Sequence, residues 1–141
     1  MIAMRFVDTN VLLYSVSTLP EESSKATAAR ELLDETDLCL SVQVRQEFYV
    51  QATRKSKTGA LSPADAAAFV EKWMRFPVQE TTVGVMREAF AASVRWQISY
   101  WDAAVVEAAR TFGCREVLSE DLNAGRDYGG VRVANPFASR G

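Results

Sequence analysis

The fold is decided by the stretch Arg5-Phe6-Val7-Asp8-Thr9-Asn10 near the start of the chain. The segment from Ile2 to Val7 is apolar apart from Arg5, which predicts a buried parallel strand. The polar step after it predicts a turn into a helix, because Asp, Thr and Asn are all common N-cap residues. In an open α/β sheet, ligands bind beyond the carboxyl ends of the strands. Asp8 is therefore either a helix cap or a catalytic residue, and this stretch by itself favours the cap.

The length and composition are those of an ordinary globular protein. A chain of 141 residues predicts one domain, residues 1–141, with a proper core. The net charge of -2 excludes a generally basic surface, so any contact with nucleic acid must come from a local patch. The apolar runs are too short to cross a bilayer and no signal-peptide pattern opens the chain, which predicts a cytoplasmic protein with no membrane contact.

The residue types that are present restrict the possible chemistry. The sequence contains no histidine, which excludes Ser-His-Asp hydrolysis, imidazole bases and almost every zinc site. Cys39 and Cys114 lie in or beside short apolar runs without a C-x-x-C partner, and we expect free, buried thiols. Acid-base or metal chemistry must therefore depend mainly on carboxylates.

Apolar runs that predict strands alternate with stretches that predict helices. The predicted strands are residues 2–7, 38–40, 116–119 and 131–133, with a short extended piece at Val78. The predicted helices are residues 11–17, 24–35 (capped by Ser23 or Ser24), 42–55, 63–75, 83–96 and 99–113. Residues 125–130 are expected to form a turn-rich loop. The alternation predicts an α/β fold of three layers, with a central parallel sheet flanked by helices.

Four acids lie where these elements begin or end. Asp8 and Asp121 follow apolar strands, Asp102 lies in the first turn of a buried helix, and Glu47 lies early in another helix. Each acid also has a structural explanation. Asp102 fits a capping box with Ser99, Glu47 fits a solvated helix face, and Asp121 fits a turn.

Convergence of the four acids would require a cation. Two carboxylates about 4 Å apart repel by roughly 4 kcal/mol at an effective dielectric of about 20. Oxygen ligands favour a hard ion, Mg²⁺ or Mn²⁺, which activates water and offsets charge on a phosphoryl group. The sequence therefore predicts metal-dependent hydrolysis of a phosphodiester without a covalent intermediate.

The four acids lie in short segments of mixed apolar and polar residues. These segments are Phe6-Val7-Asp8-Thr9-Asn10, Gln46-Glu47-Phe48, Tyr100-Trp101-Asp102-Ala103 and Leu118-Ser119-Glu120-Asp121-Leu122-Asn123. They resemble the four motifs of the PIN domain family, in that family's order and with its approximate spacing. The likeness spans essentially the whole chain and is closest to the toxin ribonucleases of VapBC toxin-antitoxin pairs. The resemblance implies a three-layer PIN-like fold and an Mg²⁺- or Mn²⁺-dependent endoribonuclease.

The resemblance also implies roles for individual residues. Asp8, Glu47, Asp102 and Asp121 surround the metal in this hypothesis, and Asn10, with Thr9, supports them by hydrogen bonds. Asp8 and Asp102 are the main metal ligands, and Asp121 binds directly or through water. Glu47 orients or deprotonates the attacking water.

Two further assignments concern the edges of this site. Arg54 follows Glu47 on a polar helix row and meets an RNA phosphate at the rim in this hypothesis. Lys55 and Lys57 are either further phosphate contacts or cations favoured at a helix end. Glu120 competes with Asp121 for the inward position, and we favour Asp121.

Partners and rival functions follow from the same resemblance. It implies a homodimer and a small antitoxin that places a basic side chain against the acids. One alternative is a non-catalytic PIN-fold binding module whose acids are only caps. Another is a magnesium-dependent phosphatase of the haloacid dehalogenase type, although Asn10 stands where that family has a second Asp.

Overall fold

The structure is a computed structural model that describes residues 4–138. The strands are β1 Arg5–Val7, β2 Leu38–Ser41, β3 Val78–Gln79, β4 Glu116–Leu118, β5 Asp127–Tyr128 and β6 Val131–Ala134. The helices are α1 Thr9–Ser15, α2 Ser23–Leu32, α3 Val42–Ala52, α4 Pro63–Lys72, α5 Val83–Trp96 and α6 Tyr100–Phe112. Short 3₁₀ turns precede α2, at Pro20–Glu22, and follow α4, at Trp73–Arg75.

The strands form one sheet in the spatial order β3-β2-β1-β4-β6-β5. The central strand β1 pairs in parallel with β2 and β4, and the parallel pairing continues outward to β3 and β6. The helices form two groups, α1–α4 and α5–α6, that flank the sheet. The predicted three-layer α/β architecture is confirmed.

The edge strand β5 corrects the prediction of a loop at residues 125–130. It pairs antiparallel with β6, and Gly129 and Gly130 connect the two strands with φ values of +63° and +99°. Two successive positive φ values are those of a tight hairpin turn, which glycine adopts without strain. The Gly-Gly pair between two short strand segments was the available signal.

Several element boundaries also differ from the prediction. The helix α3 ends at Ala52 instead of residue 55. Directly after this end, the Thr53 hydroxyl donates to the Tyr49 carbonyl at 2.7 Å. The helix α2 follows directly from a 3₁₀ turn and has no side-chain cap, so the predicted cap at Ser23 or Ser24 is wrong. The predicted first strand begins at residue 2, and its residues 2–3 lie outside the described part.

The core covers both faces of the sheet. Phe6 and Val7 of β1 are fully buried, as are Leu38 and Leu40 of β2. A second cluster joins α5 to α6 through small side chains, namely Ala89, Ala92, Ala103 and Ala104. None of the helices in residues 4–138 is long and apolar enough to span a membrane.

The two cysteines are free and buried, as predicted. Their sulfur atoms lie only 3.0 Å apart, although 75 residues separate them in the sequence. The sequence contained no sign of this proximity, because Cys39 lies on β2 and Cys114 lies in the turn before β4.

The parallel strands bring their carboxyl ends to one edge of the sheet. Val7, the last residue of β1, pairs with Leu118, the last residue of β4, so the segments after both strands begin at the same level. The strand β2 leads directly into α3 at Ser41, whose side chain accepts a hydrogen bond from the Val44 amide. This edge therefore collects the start of α1, the start of α3 and the loop after β4.

Candidate active site

Asp8 is both a helix cap and a member of the acidic edge. Its Oδ1 accepts a hydrogen bond from the Thr9 amide at 2.7 Å, and its Oδ2 accepts one from the Ser119 hydroxyl at 2.7 Å. Burial is the main cause that raises the pKa of Asp8 to about 6, and the charges of Glu47 and Asp121 contribute to this rise. The two hydrogen bonds act in the opposite direction. The capping and the site interpretations of Asp8 are therefore compatible.

Glu47 is held in place by one neutral donor at each oxygen. The Thr9 hydroxyl donates to Oε2 at 3.0 Å, and the Gln43 side-chain amide donates to Oε1 at 2.9 Å. Thr9 and Gln43 are both buried. Glu47 thus lies at the acidic edge and not on a solvated helix face.

Asp102 begins α6, and Ser99 caps this helix by accepting a hydrogen bond from the Asp102 amide at 3.1 Å. Burial raises the pKa of the half-buried Asp102 carboxyl, and the nearby Ser99 hydroxyl acts in the opposite direction. The charges of Asp121 and Glu47 add to the rise. The helix start therefore places Asp102 within the electrostatic reach of the other acids.

Asn10 links the segments that follow β1 and β4. Its side-chain amide nitrogen donates to Asp8 Oδ2 at 3.4 Å and to Asp121 Oδ2 at 3.3 Å. Its Oδ1 accepts a hydrogen bond from the Glu120 amide at 3.2 Å, which fixes the orientation of the side chain. Asn10 thus contacts two of the four acids, and its supporting role in the site, like that of Thr9, stays a prediction.

Ser119 is a further residue of this edge that the sequence did not single out. It is fully buried, donates to Asp8, and accepts hydrogen bonds from the amides of Asp121 at 3.1 Å and Leu122 at 3.3 Å. The available signal was a polar residue that ends an apolar strand directly before two acids. Ser119 shapes the turn that presents Asp121 and orients the Asp8 carboxylate at the same time.

Glu120 points away from the acidic edge. Its carboxylate accepts hydrogen bonds from the Tyr14 hydroxyl at 2.6 Å and from the Lys25 ammonium at 2.5 Å. Burial opposes ionisation of Glu120, but these two donors outweigh it and lower the pKa. Asp121, which is exposed at the edge, is therefore the member of the pair that faces the other acids.

Arg54 lies two residues beyond the end of α3 and is exposed. It lines an open cleft of about 500 Å³ together with Glu47 and Trp101. The structure therefore places Arg54 in the same cleft as Glu47, and its contact with an RNA phosphate stays a prediction. Lys55 and Lys57 are also exposed but do not line this cleft.

The acidic edge has no cationic partner among residues 4–138. Neither Asp8, Glu47, Asp102 nor Asp121 forms a salt bridge there; Lys25, for example, binds Glu120 instead. Every hydrogen-bond donor to these carboxylates in the described part is neutral. A group of carboxylates that no lysine or arginine neutralises attracts a cation from solution.

The present side-chain arrangement does not itself form a coordination shell. Within residues 4–138, no three acidic or cysteine side chains lie close enough together to hold one ion. The Asn10 amide, which binds Asp8 and Asp121, separates two of the acids. The all-oxygen donor set fits a hard divalent cation. Asp102 is partly exposed and Asp121 is exposed, so both carboxylates are accessible from solvent.

The fold and this edge define the class of protein: an α/β protein with a carboxylate cluster beyond the carboxyl ends of its central strands. The family model described as PIN domain matches residues 5–126, and the chain belongs to the PIN domain family. No curated protein sequence matches the chain.

Several solved structures have the same fold. The Sarcin-Ricin loop cleaving toxin VapC20 of Mycobacterium tuberculosis is 20% identical, with a TM-score of 0.65 over 83% of this chain and 91% of that one. A toxin-antitoxin complex from Klebsiella pneumoniae is 15% identical, with a TM-score of 0.68 over 94% and 98%. DNA-bound VapBC from Salmonella typhimurium is 19% identical, with a TM-score of 0.68 over 96% and 99%. At these identities the likeness shows the fold.

Proposed function

We propose that the protein is a metal-dependent endoribonuclease and the toxin of a type II toxin-antitoxin pair. The observation that carries the proposal is that Asp8 and Asp102 each lie within reach of the charges of Glu47 and Asp121. These four carboxylates come from four separate elements and have no cationic partner in the described residues. Membership in the PIN domain family and the likeness to VapC structures support the ribonuclease assignment.

The donor set indicates which residues would hold the metal. Asp8, Asp102 and Asp121 are the proposed ligands for Mg²⁺ or Mn²⁺, with water completing the shell. Such an ion lowers the pKa of bound water and stabilises charge on the phosphoryl oxygens. Because Asn10 and Ser119 bind the Asp8 carboxylate, they fix the direction in which its free lone pairs point.

The remaining residues act on the water and on the RNA. Glu47 is the proposed group that orients or deprotonates the attacking water, because Thr9 and Gln43 hold both of its oxygens in place. Arg54 is the proposed contact to an RNA phosphate, since it lines the cleft that reaches Glu47.

The partners of this proposal are a small antitoxin and a second copy of the chain. A basic antitoxin side chain would satisfy the uncompensated carboxylates. Two of the structural neighbours are toxin-antitoxin assemblies. An apolar groove of about 540 Å³ between α3 and α4, with Tyr49, Val50 and Met74 exposed, supports a protein contact outside the acidic edge.

Replacing Asp8 by Asn tests the function directly. We expect Mn²⁺-dependent RNA cleavage to fall at least about 100-fold, because changes beyond the direct ligands already reduce metal-site activity 10- to 100-fold. The measurement is cleavage of total RNA with and without EDTA, with circular dichroism to verify folding.

The matched control is Asp65→Asn. Asp65 lies in the first turn of α4, as Asp102 does in α6, but it is exposed and outside the acidic edge. The control should cleave like the unmodified chain. Full activity of the Asp8→Asn chain would refute the proposed role, and absence of cleavage in the unmodified chain would favour a non-catalytic binding module.

A further inference from the structure

Trp101 is a large aromatic side chain left in solvent beside the acidic edge. It is 61% exposed, whereas Trp73 of the same chain is only 3% exposed. Trp101 immediately precedes Asp102 in the first turn of α6. Leaving so much apolar area in water is unfavourable, and such area on a soluble protein commonly marks a binding surface.

Neighbouring aromatic rings support the Trp101 ring. Its centroid lies 5.0 Å from that of Tyr100, at an interplanar angle of 69°. The Tyr100 ring in turn lies 5.4 Å from that of Phe90 on α5. These contacts limit the motion of the exposed ring, so less freedom is lost when a ligand binds it.

Several polar side chains share a cleft with Trp101. Trp101 lines the open cleft of about 500 Å³ that also includes Glu47 and Arg54. The side chains of Gln43, Gln46 and Gln51 line the same cleft. An aromatic face, a guanidinium and several amides together provide the groups that contact the base, phosphate and sugar of a single strand.

We propose that Trp101 is a stacking platform for an unpaired nucleobase of the RNA, next to the phosphate that is cleaved. Arg54, which lines the same cleft, contacts the phosphate. Because the bases of an A-form duplex are already stacked on each other, this platform selects single-stranded or loop RNA. The inference rests on the proposed function and narrows its substrate class.

Binding of RNA oligomers to Trp101 variants tests this proposal. The assay uses the Asp8→Asn chain, which leaves the RNA intact, and a 12-nucleotide single strand carrying 2-aminopurine, whose fluorescence falls on stacking. Trp101→Ala should weaken binding roughly 5- to 100-fold and abolish the quenching, and Trp101→Phe should restore much of both. A duplex of the same sequence should bind weakly and respond little to the change.

Val94→Ala is the control, because Val94 on α5 is also an exposed apolar residue, 80% exposed, but belongs to neither the cleft nor the ring contacts that support Trp101. It should bind the single strand like its parent. Equal binding by the Trp101→Ala chain, or no binding by any chain, would overturn the proposal. A changed oligomeric state on gel filtration with unchanged RNA binding would instead assign Trp101 to a contact between copies of the chain.

Cleavage assays on chains that retain Asp8, with and without Trp101→Ala, separate this proposal from the proposed function. If the Trp101→Ala chain cleaves single-stranded RNA with Mn²⁺ as well as the unmodified chain does, the stacking role of Trp101 is refuted and the nuclease proposal stands. Absence of metal-dependent cleavage in the unmodified chain would count against the nuclease itself, whatever the oligomers bind.

Discussion

At the scale of single residues, Asp8 combines burial with a negative charge that no cation in the described residues neutralises. It is only 8% exposed, and the charges of Glu47 and Asp121 act on it. Two neutral donors, Thr9 and Ser119, stabilise its ionised form only in part. In the metal-free protein, ionised Asp8 is therefore a source of instability at neutral pH.

This instability predicts a pH dependence of folding. The pKa of Asp8 is raised from 3.8 to about 6 in the folded chain, so the folded state binds more protons than the unfolded state between these values. Stability should therefore fall as the pH rises through this window, by at most about 3 kcal/mol from this residue. The measurement is urea unfolding in EDTA at pH 4.5 and 7.5.

The Asp8→Asn chain isolates this contribution, because all other titrating groups are unchanged. Relative to the unmodified chain it should gain clearly more stability at pH 7.5 than at pH 4.5, because only part of the window between the two pKa values lies below pH 4.5. A difference between the two chains that does not vary with pH would show that Asp8 ionises normally.

At the scale of elements, the same capping arrangement occurs twice with different surroundings. Ser62 caps α4 and Ser99 caps α6, and each hydroxyl accepts the amide of an Asp three residues later at 3.1 Å. The Asp of α6, Asp102, senses the charges of Glu47 and Asp121, whereas the Asp of α4, Asp65, is exposed and lies outside the acidic edge. The start of α6 therefore has a positioning role in addition to helix stability.

Substitution of each serine by alanine separates the two roles. Both Ser62→Ala and Ser99→Ala should destabilise the fold by about 1 kcal/mol, the usual loss of an N-cap. Only Ser99→Ala should also weaken Mn²⁺ binding, because it removes the hydrogen bond that holds the first turn of α6 and with it Asp102. Calorimetric titration with Mn²⁺ and thermal melting measure the two effects; equal metal affinity in both variants would restrict Ser99 to capping.

The loop after β4 shows how elements share the support of the edge. On the side of the acidic edge, the Asn10 amide donates to Ser119 and the Ser119 hydroxyl donates to Asp8. On the other side, Lys25 and Tyr14 donate to the Glu120 carboxylate. As a result, the adjacent side chains of Glu120 and Asp121 point in opposite directions. This arrangement also explains why Asp121 and not Glu120 faces the other carboxylates.

At the scale of the whole molecule, the acidic edge joins segments from the beginning, middle and end of the chain. An ion that binds them should stabilise the folded state, which alone brings them together. At 100 times its dissociation constant, such an ion contributes about 2.7 kcal/mol, or an increase in melting temperature of roughly 5–10 °C. Differential scanning fluorimetry with MnCl₂ against EDTA measures this increase.

The Asp121→Asn and Asp102→Asn chains should lose most of this increase, while Asp65→Asn should keep it. An equal Mn²⁺ effect in all of these chains would place the ion elsewhere on the protein. The comparison therefore tests the shared site without requiring knowledge of the RNA.

Much of the architecture was predictable because it depends on local patterns. The alternation of apolar strands with capped helices indicated the parallel sheet, and α5 occupies the predicted residues 83–96. The strand β5, and with it the hairpin to β6, was missed because a two-residue strand carries little periodicity and its pairing depends on tertiary contact. The ends of α2 and α3 were misplaced for the related reason that side-chain caps and turns decide them.

The sequence by itself determined that acids follow or begin four elements and that no histidine can assist them. Only the tertiary structure decided which groups surround these acids. Ser119 and Gln43 donate to them, Glu120 turns toward Lys25, and Trp101 is exposed beside the cleft. The reason is physical. Strand and helix periodicity act over a few residues, whereas hydrogen bonds between the ends of β1 and β4 join residues more than 100 positions apart.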